Sequence, residues 1–341
     1  MRQRSSRICR LLALGALIVA GSAGAQPKPA AAPSPGELVA AAPASDWVDI
    51  PASDLLVMTL APDAAGKART VLVQLLPAPL SQGWVENIRL LARAHWYDGL
   101  SINRAQDNYV VQWGDAEGDD PKRAKPLPAG LKTVRESDYV SSVSVMERTT
   151  ALTALPHRTS HSDPFAGFAF FLNGWPLAAD IIMRTPISEA ESNRAVPPPT
   201  SEPAWPVHCY GMVGVGRNLS PDTGSGAELY VVIGHAPRHL DRNIALVGRV
   251  VEGMEHLSSL PRGTGPLGFY AAPEERTPIR SVRLASDLPA ADQRHLQYLA
   301  TGSASFAHYA DARANRRDPF FLVPAGGADI CNIPVPIRRK P

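Results

Sequence analysis

The chain has 341 residues, enough for one large domain or two small ones around a substantial core. Its 45% apolar and 19% charged residues are a globular composition, and 33 prolines point to short elements joined by many loops. The formal charge of +2 is carried by the first 25 residues, which hold four arginines and no acid; the other 30 basic and 32 acidic residues nearly balance, so nothing global suggests nucleic acid.

"MRQRSSRICR", the apolar run "LLALGALIVAG" and Ala23-Gly24-Ala25 have the pattern of a secretory signal peptide over 1–25, cleaved after Ala25. The run is about half of the roughly 20 residues a membrane span needs, which weighs against an uncleaved anchor. A periplasmic or secreted protein, with no stable membrane insertion after cleavage, is the expectation. Cys9 leaves with the leader. Cys209 and Cys331 remain, and an oxidising compartment would allow a bridge between them enclosing about 120 residues; two buried free thiols are the other reading.

"QPKPAAAPSPGELVAAAPAS" reads as part of an extended Pro/Ala-rich linker over 26–46, with the folded part starting near Trp47. "DLLVMTLAP" and "ARTVLVQLLP" are two strands of a hairpin closed by "DAAGK". In "SQGWVENIRLLARAHW" the period changes: Trp84, Ile88 and Leu91 recur at helical spacing behind Ser81 as N-cap. "SINRAQDNYVVQWGD" (101–115) ends in a strand, with Arg104 before it and Gln112 within it. From 116 to 206 the pattern loosens into an insertion, where "DPFAGFAFFLNGWPLA" reads as an apolar patch packed on the core, with a peptide-binding surface as the other reading, and "RAVPPPTSEPAWP" resists regular structure.

"CYGMVGVGR", "AELYVVIGHAP", "IALVGRVVEGM" and "PIRSVRLASD" are further strands, and "SASFAHYADARANRRDPFF" predicts a helix ending before Pro319. These elements make a predominantly antiparallel β fold, a sandwich or a barrel. Two histidine pairs, His157/His161 and His235/His239, have the four-residue spacing of a helical zinc pair. Neither has the accompanying glutamate, and Pro237 breaks the second, so no metal site is assigned. No G-x-S-x-G elbow occurs.

Three stretches, 85–115, 211–234 ("GMVGVGRNLSPDTGSGAELYVVIG") and 239–254 ("HLDRNIALVGRVVEGM"), together resemble the cyclophilin family of peptidyl-prolyl cis-trans isomerases by their order and spacing. The resemblance implies a closed eight-stranded antiparallel barrel capped by two helices, spanning 47–286 with the insertion inside it. Residues 287–341 would be a C-terminal helical extension. By position, Arg104 would be the catalytic donor and Gln112 its support. Tyr109, Val110, Met212, Val213, Tyr230, Leu240 and His239 would line the proline site. The implied activity is rotation of X-Pro bonds in exported proteins, assisting their folding. It needs no cofactor, because no bond is made or broken. Its partners would be proline-containing unfolded or exported proteins met by a monomer. A non-catalytic chaperone on the same barrel is the alternative. The chain departs from the family's usual residues at Ile102, Asn103, Asp107-Asn108, Trp113, Glu228, His239 and Ile244.

Overall fold

A computed structural model describes residues 31–144, 163–180 and 201–341; the leader-like segment and the His157/His161 pair lie outside them. Helix α1 (Pro35–Ala40) falls inside the expected linker. It forms because Ser34 caps it. The Ser34 hydroxyl accepts from the Glu37 N–H, the Glu37 carboxylate accepts from the Ser34 N–H at 2.7 Å, and Pro35 stands at the first helical position. This local chemistry overrides the low-complexity composition that suggested a tether. Strand β1 (Trp47–Asp49) follows.

Strands β2 (Leu55–Leu60) and β3 (Arg69–Leu75) form the predicted hairpin. Helix α2 (Gln82–Arg93) buries Trp84, Ile88 and Leu91, the face that its periodicity marks. Ser81 holds the N-cap position but its side chain makes no cap bond, because its backbone is left-handed (φ 51°). Strands β4 (Ser101–Ala105) and β5 (Val110–Gly114) complete the first half of a barrel.

The insertion is more regular than its sequence suggests. Strands β6 (Ser141–Ser144), β7 (Phe168–Leu172), β8 (Trp175–Ala179) and β9 (Ser201–Pro206) make a sheet of their own, ordered β6-β9-β8-β7. The proline-dense stretch can supply β9 because Pro203 lies beyond the residues paired to β8, and Pro206 closes the strand, so the missing N–H groups interrupt little of the ladder. Ala204 and Trp205 between them are buried.

Strands β10 (Met212–Val215), β11 (Leu229–Val232), β12 (Leu246–Glu252) and β13 (Thr277–Leu284) close the barrel in the order β10-β11-β5-β4-β13-β2-β3-β12, every pairing antiparallel. Closure leaves no unpaired edge. Leu56, Met58, Val73, Trp113, Val213 and Val282 point into the barrel, where Ile88 of α2 meets them. Helix α2 follows the end of β3, whereas the one-turn α3 (Glu255–Ser258) follows the end of its antiparallel neighbour β12, so the two helices stand at opposite mouths.

The C-terminal extension folds back onto the start of the chain. Strands β14 (Leu296–Leu299) and β15 (Ile337–Arg339) join β1 in a three-stranded sheet. Helix α4 (Ala304–Ala314), capped by Ser303, packs against α1. Cys209 and Cys331 are disulfide-bonded, with Cα atoms 5.0 Å apart. Of the two readings of these cysteines, the bridge is the one found. Among the described residues no helix is long and apolar enough to cross a membrane.

Candidate active site

The site begins with a single extra residue. In the β4–β5 pair Ile102 faces Trp113, but the next matched pair is Arg104 with Gln112, so two steps on β4 answer one on β5. Ile102 is wholly buried with the barrel core. Unbroken alternation would send Arg104 to that same face. The bulge at Asn103 turns it to the outer wall instead. Asn103 is itself anchored, donating to the Gly114 carbonyl at 3.1 Å and accepting from Ser101 Oγ at 2.7 Å.

Outside the barrel the Arg104 guanidinium is held on three sides. Its Nε donates to the Leu267 carbonyl at 2.7 Å, one terminal nitrogen to Gln112 Oε1 at 3.0 Å, and the other to Gln106 Oε1. The rings of Tyr109 and Phe269 lie over it, their centroids 5.7 and 5.4 Å from the guanidinium carbon. Burial lowers its pKa, partly offset by Tyr109 and Glu228, yet so basic a group stays charged. Leu267 can present its carbonyl because Pro266–Gly268 makes a tight turn with Leu267 left-handed at φ 56°.

Gln112 relays between two charges. Its carbonyl oxygen accepts from Arg104, and its amide nitrogen lies on the side of Glu228, whose carboxyl pKa it pulls down. Burial raises the Glu228 carboxyl above its usual range, and Asp115 and Asp119 add to the rise, while Gln112 and Arg104 pull it down only in part.

Beside this cluster lies an apolar wall. Val110, Tyr230 and Val232 pack together, with Tyr109 and Ile244 against them. Tyr230 sits opposite Gln112 on one side and Gly214 on the other. Its ring crosses Gly214, where a Cβ would come within 2.3 Å of the phenol oxygen, so only glycine leaves it room. The Tyr230 hydroxyl meets His208 Nε2 at 2.8 Å, and His208 Nδ1 meets Asp241 Oδ1 at 2.8 Å. Burial holds the imidazole pKa down despite Asp241, which favours the neutral ring. Burial pushes the Asp241 carboxyl up, but His208 and Arg238 outweigh it and leave it below the usual range.

The structure thus brings together Arg104, Gln112, Tyr109, Val110 and Tyr230. It does not bring Val213 to them: Val213 lines the barrel interior, the opposite face of β10, and cannot line a site on the outer wall. Met212 is buried with the main core and not with the Val110–Tyr230 cluster. His239 is exposed and Leu240 half-buried in a short turn, Arg238–Leu240, outside that cluster. Sequence reasoning missed His208, Asp241, Leu267 and Phe269. Glu228 stood out only as a departure from a pattern.

Fold and site together define a closed antiparallel barrel with an arginine-centred site on its outer wall. The family model for cyclophilin type peptidyl-prolyl cis-trans isomerases matches residues 78–284, and the chain belongs to that family. Among solved structures it is similar to cyclophilin AquaCyp293 from Hirschia baltica, with 20% identity, a TM-score of 0.60, and 86% of this chain and 93% of that one covered. A weaker likeness is to a Cryptosporidium parvum cyclophilin type peptidyl-prolyl cis-trans isomerase, with 8% identity, a TM-score of 0.37, and 68% and 96% covered. No curated protein matches the sequence.

Proposed function

We propose that this protein accelerates rotation about X-Pro bonds in extended segments of exported proteins. The observation that carries the reading is the placement of Arg104, a permanent cation fixed on the outer wall beside the Val110–Tyr230 patch. An X-Pro amide has nearly balanced cis and trans forms but interconverts over roughly tens to hundreds of seconds, because resonance stiffens the C–N bond. Twisting breaks the resonance and leaves a lone pair on the prolyl nitrogen. A donor aimed at that nitrogen stabilises the twisted amide over either planar form.

Arg104 commits three of its five N–H groups to Leu267, Gln112 and Gln106, which leaves two for a substrate. Tyr109, Val110 and Tyr230 provide the apolar surface for the prolyl ring. Export is supported by the leader pattern of 1–25 and by the Cys209–Cys331 bond, which suits an oxidising compartment. We take the protein to act as a monomer.

A prolyl-isomerisation assay tests the reading. The wild type should accelerate the approach to cis-trans equilibrium of an Ala-Pro peptide, and Arg104→Ala should abolish most of that gain. A wild type no faster than the thermal rate would leave only a proline-peptide binding module or chaperone.

A further inference from the structure

We infer that His208 is a positioning residue for Tyr230, and that Asp241 and Arg238 extend its support to Asp163 in the insertion. The inference rests on the isomerase reading, because it treats Tyr230 as a wall of the proline site.

The bonds run in one line. Tyr230 meets His208 Nε2 at 2.8 Å, His208 Nδ1 meets Asp241 Oδ1 at 2.8 Å, and Arg238 Nε donates to Asp241 Oδ2 at 2.6 Å. Arg238 then donates two parallel bonds to Asp163, at 2.8 and 3.0 Å, and lies under the Phe165 ring. No side chain among His208, Asp241, Arg238 and Asp163 is more than 5% exposed. Polar groups this deep cost stability unless each is partnered, and here each is.

The line has a direction. An ionised Asp241 only accepts, so His208 carries a proton on Nδ1, and in the neutral ring that burial favours Nε2 accepts from the Tyr230 hydroxyl. The His208 N–H also donates to Asp241 Oδ1, at 3.0 Å, which fixes the backbone as well as the ring. The hydroxyl is therefore consumed internally. What Tyr230 offers a ligand is carbon, held in one plane: its ring is within 9° of parallel to the imidazole and pressed on Gly214. Tyr230 is only 4% exposed, so the strip it offers is narrow and its placement matters accordingly. A wall already held in its binding position need not be ordered when a peptide arrives.

The test compares Tyr230→Phe, His208→Phe, the double variant and His208→Gln, whose amide oxygen can replace Nε2 as acceptor. For a peptide with one Ala-Pro bond, each Phe variant should raise KM roughly 3- to 10-fold with kcat changed less than about 2-fold. The double variant should be no worse than the poorer single one, and His208→Gln should recover most of the loss. An unchanged KM in Tyr230→Phe and His208→Phe overturns the inference, as does a His208→Gln no better than His208→Phe. If His208→Phe does not fold, Tyr230→Phe, which removes one oxygen atom, decides. If the wild type shows no isomerase activity, that reading fails by itself. Peptide affinity from NMR titration of the same variants then judges the positioning: a loss of affinity supports it and unchanged affinity overturns it.

Discussion

Strands β5 and β11 each serve two surfaces built on different physics. Val111, Trp113, Leu229 and Val231 join the main core, while Val110, Gln112, Tyr230 and Val232 face the outer wall. The inner set is held by contact alone, and volume is what it must supply. The outer set depends on particular atoms: Gln112 works through one carbonyl oxygen, and Tyr230 through one hydroxyl. Neighbours in sequence therefore answer to different tests, stability on one face and chemistry on the other.

The largest expected effect is on the inner face. Trp113→Ala should cost about 3–5 kcal/mol of unfolding free energy, read from the denaturant midpoint. A cost under about 1 kcal/mol would mean that the interior is not closely packed around Trp113, and the contrast would lose its inner half. On the outer face, Arg104→Ala should lower kcat/KM roughly 100-fold, about 2.7 kcal/mol of transition-state stabilisation, with the denaturant midpoint almost unmoved. A large fall in stability instead would make Arg104 a structural residue. Gln112→Ala should lower kcat/KM about 10-fold, because Arg104 keeps its bonds to Leu267 and Gln106. A loss equal to that of Arg104→Ala would show that the two act as one unit.

The smallest effect is a pH dependence. The folded protein holds the Glu228 proton more tightly than the unfolded chain, whose carboxyl has the ordinary value of 4.5. The stability this contributes is present below that value and is lost as pH rises through the higher folded value. Glu228→Gln should therefore be more stable than the wild type at pH 8, with the gain shrinking below about pH 4. Denaturation midpoints at the two pH values check this, and an equal gain at both would rule out ionisation as its cause.

Local pattern made much of the barrel legible. The hairpin over 55–75 and the buried stripe of Trp84, Ile88 and Leu91 were readable from alternation and helical period. Arg104 and Gln112 were paired through the order of their motifs, not through spacing. The bulge at Asn103 and the reversal between strands decide that the two share a face, and neither is visible to a parity count. Helix α1 hid in Pro/Ala-rich composition because its signal is one capping box. His208 and Asp241 are 33 residues apart, and Leu267 is 163 residues from Arg104; only barrel closure brings such pairs together, so no window of sequence contains them.

The bulge has a further consequence for how the protein can vary. A substitution at Asn103 leaves the residue count of β4 intact, so Arg104 stays outside even if the anchor to Gly114 is lost. Deleting Asn103 is different in kind, since it restores simple alternation and puts the frame of the strand at odds with the site. Lineages descending from this sequence can therefore explore many residues at 103 but not its absence. This one position inside a strand should behave as a fixed-length joint.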